Sequence, residues 1–218
     1  MDNASAAMVE ISQDGAGLAI EPTSLPYGFY TEDIETCAVY AFRGRNGLCV
    51  IHDTGHLVIG DIVALVERVG GIESVSAAQN SLRRSGDQDA EHRRRLAEVL
   101  HRVNWLAEVG YVDAPQGWVA FSRTGEPERR ASMEVEPLPG RTLRRQINLL
   151  NNLFTLPNSQ SVRVDLQHVD QAFTPPPGLA VGIDEMMVRA RQEMARGDPD
   201  YLFELRRAWS AGMLQSVS

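Results

Sequence analysis

Two β-rich runs, CAVYAFR (Cys37 to Arg43) and LCVIHD (Leu48 to Asp53), flank the turn signal Gly44-Arg45-Asn46-Gly47, and no other stretch limits the fold as strongly. Val, Ile, Tyr and Phe on either side of an Asn-Gly pair predict an antiparallel hairpin. Side chains alternate between the two faces of a strand, so the register decides which residues can meet. With a four-residue loop at 44–47, Arg43 pairs with Leu48 and Cys37 falls opposite Thr54. His52 then leaves the same face as Cys37, on a diagonal of about 7–8 Å at Cα. Cys49 has the other parity and faces away. A two-residue Asn46-Gly47 loop keeps this parity but sets His56 opposite Cys37, and an odd loop or a bulge reverses it.

Both cysteines and two of the five histidines lie between residues 37 and 56. A Cys37 to Cys49 disulfide is disfavoured, because the side chains face apart and nothing indicates an oxidising compartment. A zinc site from Cys37, Cys49, His52 and His56 has finger-like spacing, yet His-x3-His needs a helix to put both rings on one side, and Gly55 within β-type sequence denies it. No metal is expected. Two readings stay open: buried structural residues, since free cysteine is among the most buried types, or a thiol nucleophile activated by an imidazole.

Elsewhere, Ile62, Leu65, Val66 and Val69 recur at helical spacing before Gly70-Gly71. A longer helix is expected over about 89–109, with Leu96, Val99, Leu100, Val103 and Leu106 on one stripe and Asp87 or Asp89 as cap. Its EHRRR opening (Glu91 to Arg95) reads as a solvated face. Tyr111-Val112, Trp118 to Ser122, Met133 to Val135 and Val162 to Leu166 read as strands, and Thr142 to Phe154 as helix. Thr174 to Gly178 (TPPPG) is a stiff spacer before two further helices, the last capped by Asp198-Pro199. The fold class is therefore α+β without βαβ regularity. The expected layout is a loose N-terminus over 1–16, one domain over 17–173, and a helical extension over 174–218.

The formal charge of −8 has the wrong sign for a protein living on nucleic-acid phosphates. No 18-residue apolar run and no basic, apolar leader is present, so a cytoplasmic protein without a membrane span is expected, with export by a signal-less route left open. All 21 basic residues are arginine. A GC-rich bacterial genome explains that, as does avoidance of lysine modification by an effector or toxin delivered into a eukaryotic cell.

The segment from Thr31 to His56 resembles the neighbourhood of the nucleophile in protein N-terminal asparagine amidohydrolases, where Thr-Thr-Cys precedes a hydrophobic strand, a glycine turn and C-x-x-H-x-x-G. Here Thr36-Cys37 and CVIHDTG stand in those places. The wider group includes the chemoreceptor glutamine deamidase CheD and the cytotoxic necrotizing factor type of deamidase toxin, in which His follows Cys at the interval separating Cys37 and His52. Thr31 lies six residues before Cys37, the offset of the third triad member in CheD. CheD's glycine-rich approach to its cysteine is replaced by Asp33 to Thr36, and the likeness covers about 26 residues.

The resemblance implies a β-sandwich-like core flanked by helices and a cofactor-free hydrolase acting on Asn or Gln side chains of a protein substrate. In it Cys37 is the nucleophile, His52 the base, and Thr31 orients the ring. Backbone N–H groups near Cys37, with Thr36 beside it, would surround the oxyanion, and His56 is the secondary candidate for base.

Overall fold

A computed structural model describes residues 8–20, 28–32, 34–123, 125, 127, 135–136 and 163–167. The chain divides into two compact units, residues 1–138 with 155–172 and residues 139–154 with 173–218, and every described residue belongs to the first. The helices expected over 142–154 and after the TPPPG spacer lie outside the described residues.

In chain order the elements are β1 (Met8–Glu10), β2 (Gly15–Ile20), β3 (Gly28–Thr31), β4 (Ala38–Gly44), β5 (Gly47–Asp53), α1 (Ile59–Glu67), β6 (Ile72–Gln79), α2 (Gly86–Arg102), β7 (Val109–Asp113), β8 (Val119–Ser122), β9 (Val135–Glu136) and β10 (Arg163–Gln167). They form one sheet of order β8-β3-β1-β9 and a second of order β10-β2-β5-β4-β6-β7. The protein is α+β, with two sheets and two helices among the described residues.

The β4–β5 hairpin lies at the centre of the larger sheet, and its register is the one expected. Arg43 faces Leu48, Phe42 faces Cys49, Val39 faces His52 and Ala38 faces Asp53. Only Arg45 and Asn46 remain in the turn. Gly47 is required there by space: a Cβ would come within 1.9 Å of the Ala19 carbonyl oxygen on β2.

The alternation along this hairpin builds two cores. On one face Val39, Ala41, Leu48 and Val50 meet Val9, Phe29, Val119 and Phe121 of the smaller sheet, together with Ile11 just after β1. Gly17 makes room for Phe29, whose ring would be 2.4 Å from a Cβ at that position. On the other face Ala38, Tyr40, Phe42, Cys49 and Ile51 pack beneath Ile62, Leu65 and Val66 of α1 and Leu96 and Val99 of α2. Burial of such aliphatic and aromatic side chains stabilises by about 1.5–3 kcal/mol each before entropy is counted.

Several sequence expectations need correction. Order begins well before residue 17: Met8, Val9 and Glu10 form a buried strand between β3 and β9. Short parallel strands of this kind lack the alternation that marks a hairpin, because both edges and both faces find partners. The stretch after Gly71, to which the sequence assigns no element, is β6, eight residues paired with both β4 and β7. β6 and β7 run parallel, so α2 serves as the crossover of one βαβ unit.

α2 also starts and ends earlier than its apolar stripe suggests. Ser85 accepts from the Gln88 N–H while the Gln88 side chain reaches back to the Ser85 N–H, a capping box that supersedes Asp87 and Asp89. The helix ends at Arg102, and Leu106 stands 91% exposed beyond it. Arg93 and Arg94 do form a solvated face with Asp89 and Glu91. Arg95 does not: it is fully buried, bonded to Asp53 through Nε at 2.8 Å and to the Leu57 carbonyl through Nη2 at 2.6 Å.

Candidate active site

Thr31 and His52 meet between the two sheets, and the hairpin register sets Cys37 on the same face as His52. His52 is the penultimate residue of β5, and its ring leaves the face shared with Val50 and Leu48. β3, in the opposite sheet, carries Thr31 at its last position. Thr31 Oγ1 lies 2.8 Å from His52 Nδ1 and donates its own proton to the Ile11 carbonyl at 3.1 Å. A hydroxyl has one proton. With that proton committed to Ile11, Oγ1 accepts from the ring, so Nδ1 carries the imidazole proton and Nε2 keeps its lone pair. His52 Nε2 is buried and meets no hydrogen-bond partner among the described residues.

Cys37 immediately precedes β4, and extension of the register sets it opposite Thr54 on one side and Asn80 on the other. Its parity is that of Val39, so Cys37 and His52 share the face turned toward the smaller sheet. The thiol is 5% exposed and His52 is fully buried. At rest the two are not hydrogen-bonded to each other. Cys49 leaves the helical face and sits in the core beneath α1, and both cysteines are free thiols. That separation removes Cys49 from any joint ligand set with His52.

Burial fixes the protonation states. It pushes the Cys37 thiol up to about 12, with the Asp14 and Asp53 carboxylates adding to the rise and Arg84 and the Thr36 hydroxyl opposing it. Cys49 is likewise pushed to about 12 by burial. Burial holds His52 down to about 3, with His92 adding to the depression. The resting pair is therefore a neutral thiol and a neutral imidazole.

These depressed histidines make stability depend on pH. A ring whose folded value lies below its unfolded value of about 6.5 binds its proton only on unfolding, so its contribution is present above pH 6.5 and is lost as pH falls toward the folded value. His52, and His92 at about 4, should together lower unfolding free energy by several kcal/mol, on the order of 3 kcal/mol per ring, between pH 7 and pH 4. Urea denaturation at the two pH values checks this. His52→Gln, which cannot titrate, should flatten the dependence.

Sequence reasoning passed over three residues around the thiol. Asp14 is fully buried with a left-handed backbone (φ 52°), and it accepts from the Thr54 N–H and hydroxyl at 3.0 and 2.7 Å. Arg84 donates to the Cys37 carbonyl oxygen. His92, from α2, bonds the Thr36 carbonyl through Nε2 at 3.1 Å and the Tyr40 hydroxyl through Nδ1 at 3.2 Å. A signal for His92 existed: His92, Arg95, Leu96 and Val99 occupy i, i+3, i+4 and i+7, one helical stripe. Thr36 is exposed beside Cys37. His56 lies beyond Gly55 with Nδ1 buried and unpartnered; the hairpin register does not set it opposite Cys37, and Thr31 bonds His52 instead.

A cleft of about 360 Å³ is lined among others by Tyr30, Glu32, Glu35, Asn80, Arg83 and Trp118, and neither Cys37, His52 nor Thr31 lines it. Two of its lining residues relate to Cys37: Glu35 lies two positions before it, and Asn80 stands opposite it by extension of the β4–β6 register. Among the described residues no helix is long and apolar enough to cross a membrane. Neither a protein-family model nor a curated protein sequence matches the chain.

Proposed function

We propose that the protein is a cysteine-dependent amidohydrolase that deamidates Asn or Gln side chains of a protein substrate, on a core of the CheD and necrotizing-factor kind. The observation that carries this reading is the Thr31–His52 bond. It reserves Nε2 as a base on the face that Cys37 shares, and the spacing of all three residues follows the deamidase pattern.

In this mechanism the Cys37 proton passes to His52 Nε2 as Sγ bonds to the carboxamide carbon, and the C=O electron pair moves onto oxygen. Because thiol and imidazole are neutral at rest, transfer accompanies S–C bond formation instead of preceding it. Collapse of the tetrahedral intermediate breaks the C–N bond, and His52 Nε2–H protonates the departing nitrogen to give ammonia. Water then attacks the thioester, giving its proton to Nε2. The second collapse returns the proton to sulfur and releases Asp or Glu. The cleft beside Asn80 and Trp118 accommodates the chain that bears the carboxamide.

The test is incubation with a proteome-scale mixture of proteins, reading ammonia and a gain of about one dalton at Gln or Asn, the product of thiol-mediated hydrolysis. The wild type should produce both, and Cys37→Ala and His52→Ala should produce neither. Equal activity in Cys37→Ala would end the proposal. The same thioester handed to an amine would give transglutamination, and cleavage of a backbone amide would give a thiol protease; the mass change separates the three.

One observation favours a second reading, a binding module that retains the hairpin without chemistry: the thiol is almost sealed and its pKa is high. Iodoacetamide decides between them. Labelling of Cys37 near neutral pH supports the enzyme, and labelling only on unfolding supports the module.

A further inference from the structure

The peptide bond between Thr36 and Cys37 is held from the helical side of the sheet. His92 Nε2 lies 3.1 Å from the Thr36 carbonyl oxygen, and a carbonyl only accepts, so Nε2 carries the proton. The Tyr40 hydroxyl lies 3.2 Å from the other ring nitrogen and 3.2 Å from the His92 carbonyl oxygen, to which it donates, so its single proton is divided between two acceptors of one residue. Tyr40 is 1% exposed, and His92 5%. On the next residue Arg84 donates to the Cys37 carbonyl. Two successive carbonyls around the nucleophile are thus tied to side chains that perform no step of the reaction.

A trans peptide is planar, with its C=O and N–H antiparallel. Drawing the Thr36 oxygen toward α2 turns the Cys37 N–H the other way, to the face on which Cys37 and His52 emerge. No turn or loop hydrogen bond among the described residues uses that N–H. A donor fixed in advance next to the attacking sulfur is what a developing oxyanion needs.

Resting on the deamidase reading, we propose that His92 is a positioning residue that aims the Cys37 N–H as the oxyanion donor, with Tyr40 anchoring its ring and its backbone carbonyl. His92 touches no reacting atom.

The test compares two reactions of one thiol. Acylation by p-nitrophenyl acetate passes through a tetrahedral oxyanion, whereas alkylation by iodoacetamide is a displacement that forms none. Both are read at the Cys37 peptide by mass spectrometry, in full-length protein. In His92→Ala acylation should slow by at least about tenfold, since loss of one oxyanion donor costs about 10²–10³, while alkylation stays within about twofold. His92→Gln, which can still donate to the Thr36 carbonyl, should restore most of the acylation rate. Tyr40→Phe leaves the ring in place and carries the same test, with a smaller selective loss, should His92→Ala not fold. Equal changes in both reactions, or no change in either, would overturn the assignment. A wild-type Cys37 inert to iodoacetamide would instead bring down the nucleophile reading on which it rests.

Discussion

Arg95→Ala should lower the unfolding free energy by about 3–5 kcal/mol, because it strands a buried charge. Arg95 and Asp53 are both fully buried and joined at 2.8 Å, with a second guanidinium contact to Asp53 at 3.1 Å and another to the Leu57 carbonyl. Removing the cation leaves a buried carboxylate and a carbonyl without the group that balances them. The pair itself need not be stabilising, because taking both charges out of water cancels much of their attraction. The double variant Asp53→Leu with Arg95→Met should therefore recover much of the loss. Urea denaturation of both variants and the wild type measures this, and a loss below about 1 kcal/mol in Arg95→Ala would contradict it. Asp53 follows His52 directly, so the buried ion pair also secures the strand end that carries the proposed base.

Thr31→Val should reduce kcat by about 10²–10⁴ with little change in KM, the behaviour of a triad whose third member selects the histidine tautomer. Valine matches the shape of threonine but offers no acceptor to Nδ1–H and no donor to Ile11. The ring then has no reason to keep its proton on Nδ1, and a shift to Nε2 removes the lone pair that receives the thiol proton in the proposed mechanism. A stability loss of about 1–3 kcal/mol should accompany it, because a buried N–H and a carbonyl are left unpaired. Thr31→Ser retains the hydroxyl and should keep most of the activity. If Thr31→Val lost stability but no kcat, Thr31 would be a structural bond between the sheets and nothing more.

The hairpin was legible because strand side chains repeat every two residues and the Asn-Gly signal sets an even loop. Register alone separated Cys49, now in the helical core, from Cys37 and His52. Thr31 was not legible from any spacing within the hairpin. It belongs to the other sheet, and only the resemblance singled it out. Two of the strands that were missed share a cause. GAGLAI and IESVSAAQ are rich in glycine, alanine and serine, small residues that suit close approach between sheets, and they carry little of the β-branched signal. Arg95 was misread for a different reason. A charge on a helix is assigned to solvent unless its stripe is followed through, and Arg95 sits on the stripe of Leu96 and Val99, where the partner Asp53 waits 42 residues away in sequence.

Whether Thr31 reserves Nε2 of His52 as the base can be read without any substrate, by histidine 15N NMR of the resting protein near pH 7. The expected spectrum is that of a neutral His52 ring with its proton on Nδ1, lost as a single dominant tautomer in Thr31→Val. A His52 ring protonated on Nε2 in the wild type would contradict the proposed triad.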